Sequence, residues 1–548
     1  MAIFKGENMR IILPYQPDAV IRKSAELLSR KIGEILGDYP SVIAQTEPVA
    51  GDIVLDISSG QTAESFRISL QNGVVRIDGG DSAGVLYGCG WLLRNSKVIH
   101  GAMEFKPTEK IESPEHAVRG IYFATHFYNY FHNAPIEEIC AYIEELALWG
   151  ANAFLIWFDM HHYSGIDEPA AQEHLVRLKA MHSAARGVGM KIGITTIANE
   201  SYNNSPEELR ADQSKLNVCV YGVELCPSKP DGLRLIVKGL KDEFTQFDHL
   251  DYLMIWPYDQ GGCGCDDCRP WGANGFLKAG EAVSKEFRDR WPNGKVILST
   301  WLFDYPGNVN QGEWDGLYKY LEGGVDWIDY ILADGHKEFP EYPLQKPVPG
   351  GIPIINFPEI SMLDMNPWGG YGVNPLPGHW QSMWNRVGDR IAGSFPYVEG
   401  KFTDLNLIIW LQFNWNSTRK TTDIIREYAA YEFSPDDADE IARALELMEN
   451  THCHTYNPAA AKDYVHMKST EDADEIWRII SETDSKLPER VRDSWRWRLV
   501  YLRAKIDREL KASGGNITPA VCECFDEIWR MYYAEERSWE NVRPIRLS

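Results

Sequence analysis

Acidic side chains recur at the ends of short apolar runs in this chain. Between residues 119 and 400, eight such runs end in Thr125-His126, Trp157-Phe158-Asp159, Asn199-Glu200, Trp256-Pro257-Tyr258-Asp259, Trp301-Leu302-Phe303-Asp304, Asp334-Gly335-His336, Pro358-Glu359 and Tyr397-Val398-Glu399. Carboxyls and indoles gathered in one place suit a sugar. Aromatic faces stack on pyranose rings, and two carboxyls can do the acid–base work of cleaving a glycosidic bond. Five carboxyls are candidates for two roles: Asp259, Asp304, Asp334, Glu359 and Glu399. Asp259, Glu359 and Glu399 are expected to be catalytic. Asp259 lies between aromatics and Gly261-Gly262, which would let a substrate come close, and the two glutamates follow Phe357-Pro358 and Tyr397-Val398. A structural ion pair or a helix cap is the alternative for each.

His126, Trp157, Asp159, His161, Glu200, Trp256, Tyr258, Trp301, Asp304, Asp334 and His336 are expected to contact substrate. Core packing is the alternative for the aromatic rings, and a structural role is the alternative for the histidines. Asp159 with His161 and His162 could also hold a metal or sugar hydroxyls. Cys263-Gly264-Cys265-Asp266-Asp267-Cys268 puts three thiols in six residues, with Gly for the turn. With Cys226 as fourth ligand (Cys219 is the other thiol nearby), the set could cage a structural zinc that braces the segment after Asp259. An all-thiolate site is closed, so no catalytic metal or cofactor is expected. A reduced cysteine-rich turn is the alternative.

The elements that must position these groups follow from the pattern. Strands are expected near residues 119–123, 153–158, 191–197, 252–256, 295–300, 328–332, 352–357 and 391–395, with helical segments such as 135–149, 172–188, 233–247 and 278–291 between them. Eight strands alternating with helices predict a (β/α)8 TIM barrel, whose strand C-termini converge on one mouth. The stretch 361–384, rich in Gly, Pro, Asn and Trp (Trp368 among them), reads as a loop over that mouth. Upstream, strands at 9–13, 52–57, 66–70 and 74–77 and helices at 18–36 and 81–93 predict a small α/β layer. Downstream, helices are expected at 423–431, 436–450, 472–482, 488–510 and 520–537. The division is 1–112 for the N-terminal α/β domain, 113–415 for the barrel and 416–548 for a C-terminal helical domain.

A net charge of −24 argues against nucleic acid and against an anionic membrane surface. The ten cysteines and the lack of a signal-like apolar start point to a cytoplasmic protein. The expected partner is a small carbohydrate, with no nucleic acid and no membrane; a homo-oligomer is left open.

Ile53-Val54-Leu55, the hairpin from Phe66 to Ile77 and the run Asp81-Ser82-Ala83-Gly84-Val85-Leu86-Tyr87-Gly88 resemble the zincin-like domain that precedes the barrel in glycoside hydrolase family 20 and in α-glucuronidases. Arg119-Gly120 before a strand resembles the first barrel strand of these enzymes. Tyr397-Val398-Glu399-Gly400 followed by Asp404-Leu405-Asn406 is similar to the last strand in some α-glucuronidase relatives. The resemblance implies an exo-acting hydrolase of a short oligosaccharide or glycoconjugate, with a β-N-acetylhexosaminide as first expectation. An α-glucuronide and a non-catalytic sugar-binding barrel are the alternatives. Family 20 enzymes carry an Asp-Glu pair at the end of strand four, and this chain has Asp259-Gln260. Gln260 has no titratable proton to give. A uronide would call for a basic partner, and only Lys337 and Lys401 stand near strand ends.

Overall fold

A computed structural model describes residues 2–5, 9–99, 101–108, 110–126, 129–215, 222–258, 261–304, 312–335, 338–360, 375–451, 465–467, 469–534 and 545–547. The N-terminal elements are β1 (Ala2–Lys5), β2 (Arg10–Leu13), α1 (Ala19–Leu36), β3 (Ser41–Ala44), β4 (Ile53–Ile57), β5 (Phe66–Gln71), β6 (Val74–Gly79), α2 (Ser82–Arg94), β7 (Lys97–Ile99) and β8 (Ala102–Phe105). Asp18 and Asp81 cap α1 and α2 by accepting from the Ile21 and Gly84 amides, and Gly37 ends α1 in the left-handed conformation. Five strands form one sheet in the order β3-β2-β4-β6-β5, parallel except for the β5–β6 hairpin; β1, β8 and β7 form a small antiparallel sheet.

The barrel follows: β9 (Val118–Phe123), α3 (Tyr130–Asn133), α4 (Ile136–Leu148), β10 (Ala153–Trp157), α5 (Pro169–Gly187), β11 (Lys191–Ile197), α6 (Pro230–Phe244), β12 (Tyr252–Trp256), α7 (Gly275–Arg290), β13 (Lys295–Ser299), α8 (Glu313–Glu322), β14 (Tyr330–Gly335), α9 (Glu341–Gln345), β15 (Ile354–Pro358), α10 (Pro377–Val387), β16 (Ile391–Ser394), β17 (Tyr397–Val398) and α11 (Asp404–Trp415). All neighbouring strands are parallel, and β9 pairs with both β10 and β16, which closes the ring. The strands are buried on both faces, as a parallel sheet wrapped by helices requires. Tyr122, Leu155, Trp157, Met254, Trp256, Leu332, Phe357 and Tyr397 fill the interior, while Ile121, Phe123, Phe154, Ile156 and Ile255 pack outward against the helices. The eighth strand is split. β16 and β17 both lie along β9, separated by Phe395 and Pro396.

Beyond the barrel come α12 (Thr421–Glu432), α13 (Ala438–Thr451), β18 (Val465–Met467), α14 (Ala473–Asp484), α15 (Glu489–Arg492), α16 (Trp495–Ser513), α17 (Pro519–Tyr533) and β19 (Ile545–Leu547). The single helix expected over 488–510 is two, because Ser494 leaves helical geometry and caps α16 by accepting from the Trp497 amide. Part of the loop expected over 361–384 is α10, and residues 361–374 lie outside the described residues. The α10 N-terminus is held from the C-terminal helices: the Gly378 and His379 amides donate to Glu449 at 2.7 and 2.9 Å.

Two buried arginines tie the parts together. Arg119 forks onto Glu64 at 3.0 and 3.2 Å and donates to the Gly150 and His116 carbonyls, joining the N-terminal layer to the barrel floor. Arg496 on α16 meets Asp404 at 2.7 Å and Glu145 at 2.9 Å, joining the C-terminal helices to α11 and α4. No helix among the described residues is long and apolar enough to cross a membrane.

Candidate active site

Strand parity determines which side chains look into the barrel. Leu332, Phe357 and Tyr397 point inward, so Asp334, Glu359 and Glu399, each two residues on, keep that direction at the C-terminal rim. Asp334 stands opposite Phe357 in the β14–β15 register, and Glu359 bridges to Tyr397. The three carboxyls therefore lie on one arc of the mouth. Glu359 is 5% exposed and Glu399 8%. The Tyr397 hydroxyl donates to Glu399 at 2.8 Å and orients that carboxyl.

An aromatic wall stands between this arc and the next strands. Trp256 lies 5.4 Å from Trp301 and 4.9 Å from Phe357, and Tyr397 stacks on Tyr122 at 5.7 Å. Leu302, after Trp301, has φ of 63°, a strained value for a side chain branched beyond Cβ. On the far side His126 stacks on Trp157 at 4.2 Å, and its Nδ1 lies 3.2 Å from the Tyr122 hydroxyl. Thr125 stitches β9 to β10 there, accepting from the Trp157 amide and donating to the Trp157 carbonyl. Burial pushes His126 down to about 3, so the ring is neutral.

The arc over β10 and β11 is built from ionisable groups. His161 Nδ1 sits 2.7 Å from Asp159 and 3.2 Å from Glu200, and His162 Nε2 sits 3.1 Å from Asp159. Burial opposes a charge on His161, but the two carboxyls outweigh it and raise the ring to about 10. Burial would also raise Asp159, yet its histidine partners hold it far below the ordinary carboxylate range. Glu200, 1% exposed, is pushed up to about 8 by burial against the pull of His161, with Asp159 adding to the rise. The set is thus an ionised Asp159, a cationic His161 and a protonated Glu200 at neutral pH. Environments that drive neighbouring carboxyls apart are how acid and base roles are divided.

Sequence reasoning missed Glu224. It bridges Glu200 from the segment before α6, accepts from Gln213 at 2.6 Å, and burial raises it to about 7. It also missed Tyr122, Phe357 and Tyr397 as wall residues, although their period-two alternation with outward residues could have found them. Tyr258 is corrected from platform to packing residue: its ring is 0% exposed. After Pro257 the chain leaves strand parity, and the Tyr258 hydroxyl donates to the buried Glu313, which burial raises to about 8. Asp304 is exposed beyond β13. Asp259, Gln260, His336, Lys337, Trp368 and Cys219 lie outside the described residues. Lys401 is paired with Glu138 at 2.9 Å, with Tyr130 and Trp495 against its ammonium.

Cys226, Cys263, Cys265 and Cys268 come together, their sulfurs all within 4.8 Å of one another. Asp159, His161 and His162 form a second group of that compactness.

No protein-family model matches the chain, and no curated protein matches its sequence. Among solved structures it is similar to a GH115 4-O-methyl-α-glucuronidase with specificity for decorated arabinogalactans, at TM-score 0.61 and 12% identity over 96% of this chain and 73% of that one. It is similar to a GH138 enzyme targeting pectin rhamnogalacturonan II, at TM-score 0.63 and 13% identity over 95% of this chain and 70% of that one. It is also similar to the GH20 β-N-acetylhexosaminidase of Streptomyces coelicolor A3(2), at TM-score 0.54 and 14% identity over 82% of this chain and 92% of that one. At these identities the likeness is one of architecture: the chain has the TIM-barrel fold that these family 20, 115 and 138 glycoside hydrolases share.

Proposed function

We propose that the protein is a glycoside hydrolase that removes a terminal sugar from a short oligosaccharide or glycoconjugate. The observation that carries this reading is the convergence of Glu359 and Glu399 on one side of a barrel mouth walled by Trp256, Trp301 and the His126–Trp157 pair. One carboxyl gives its proton to the leaving oxygen, and the other stabilises or attacks the anomeric carbon or activates water. Asp259, directly after Tyr258 in the chain, is the third candidate for these roles. The buried Asp159–His161–Glu200 arc favours a closed hollow for a terminal sugar over an open cleft.

A neutral N-acetylhexosamine is the first sugar we propose, because Lys401 is committed to Glu138 and offers no cation for a substrate carboxylate. A uronide is the second, favoured by the GH115 4-O-methyl-α-glucuronidase structure, which matches the chain over 96% of its length.

A panel of nitrophenyl glycosides tests both: β-N-acetylglucosaminide, β-N-acetylgalactosaminide, α-glucuronide and α-galacturonide. Turnover of one member, abolished in Glu359→Gln or Glu399→Gln, supports the hydrolase. Sugar binding by calorimetry without turnover anywhere in the panel replaces it with a binding barrel.

A further inference from the structure

We propose that Cys226, Cys263, Cys265 and Cys268 hold a structural zinc ion that locks the segment after β11 to the segment after β12. The geometry matches the ion. A tetrahedral zinc with Zn–S bonds of about 2.3 Å sets its four sulfurs about 3.8 Å apart. Cys226 Sγ lies 3.8 Å from Cys265 Sγ and 3.8 Å from Cys268 Sγ, and every pair in the set is within 4.8 Å. Disulfide-bonded sulfurs would be about 2.05 Å apart, so these distances are those of ligands and not of bonded pairs.

Neighbouring groups fix the cysteine turns as well. The Ser228 hydroxyl lies 3.1 Å from the Cys268 sulfur, the Lys229 amide donates to the Cys226 carbonyl and the Cys268 amide to the Cys265 carbonyl. Contacts of this kind hold ligand side chains and their turns in the orientation that the ion needs. Three of the four cysteines are buried, and no ligand position is left for water or substrate, so the ion would be structural and not catalytic.

The place of the site gives it a role. Asn199, at the end of β11, donates to the Leu225 and Gly262 carbonyls at 2.9 and 3.1 Å and accepts from the Gly262 amide. Leu225 and Gly262 each precede a zinc ligand, Cys226 and Cys263. Asn199 and the ion thus grip the same two segments at adjacent points. Glu200 follows Asn199, and Glu224 comes just before Leu225, so the ion fixes the spacing of the Glu200–Glu224 bridge.

The test measures metal directly and does not depend on the glycosidase reading. The full chain is purified under reducing conditions, and zinc is counted by plasma mass spectrometry. Close to one zinc per chain is expected in the wild type and in Cys89→Ser, whose thiol is buried elsewhere, with most of it lost in Cys226→Ser and Cys268→Ser. If the serine variants fail to fold, titrating the wild type with a mercurial serves instead, and zinc should be released in step with four protected thiols. Cobalt substitution should then give thiolate-to-cobalt charge-transfer bands. Folded, reduced protein with far less than one zinc and four freely reacting thiols overturns the proposal. So do two disulfides, or zinc retained in both serine variants.

Discussion

The ionisable arc over β10 and β11 makes stability depend on pH in a definite direction. His161 is raised from 6.5 to about 10 and Glu200 from 4.5 to about 8, so each binds its proton more tightly folded than unfolded. Their contribution is complete below the unfolded values and is lost as pH climbs through the folded ones. Asp159 is shifted the other way, and its contribution is lost only as pH falls below the ordinary carboxylate range. The melting temperature should therefore drop between about pH 5 and about pH 10, and the drop should be shallower in His161→Gln. Differential scanning fluorimetry over that range decides; equal slopes in both proteins would remove the assignment. At the mouth itself, Glu399→Gln and Glu359→Gln should each lower kcat by about 100-fold or more on the panel substrate, with the melting temperature nearly unchanged. Side-chain type at strand ends was enough to place both glutamates at the barrel mouth; their catalytic roles are proposals that these variants test. Glu224 left no such mark, because it reaches Glu200 from a segment with no apolar period of its own. Tyr258 misled for the opposite reason: it has the right type and spacing, but Pro257 turns the chain off the strand.

At the level of elements, the strands that are apolar throughout were the readable part. Runs such as Ala153–Trp157 and Tyr252–Trp256 are buried on both faces, and no competing period blurs them. The edge strand Ser41–Ala44 escaped because most of it is exposed and nothing forces it to be apolar. The division of the last barrel strand also escaped. The break falls at Phe395 and Pro396; within β16, Gly393 has φ of +148°, and an added Cβ there would stand 1.8 Å from the Val118 carbonyl oxygen. A methyl there must push β16 away from β9. Gly393→Ala should cost about 3 kcal/mol or more, measured by urea denaturation. A variant as stable as the wild type would show that the seam can open without penalty.

Across the whole molecule, the clamps between regions involve residues far apart in sequence, and no local pattern announces them. Arg119 is fully buried and Glu64 is its only charged partner in the described structure. Burial would raise Glu64, yet Arg119 holds it below the usual range. Arg119→Met keeps the bulk and leaves Glu64 without its cation, so it should cost about 3 kcal/mol by the same denaturation assay. A second transition would be expected if the N-terminal layer then unfolds apart from the barrel. The Glu449 cap on α10 has a different bearing. Glu359 directly follows β15, and the chain is fastened at Gly378 and His379 by a carboxylate borrowed from α13. The seating of α10 against the barrel thus rests on a carboxylate that the barrel itself does not supply. Damage to the C-terminal helices would therefore reach the barrel through the first turn of α10, and a chain cut before α13 would leave that turn without its borrowed cap.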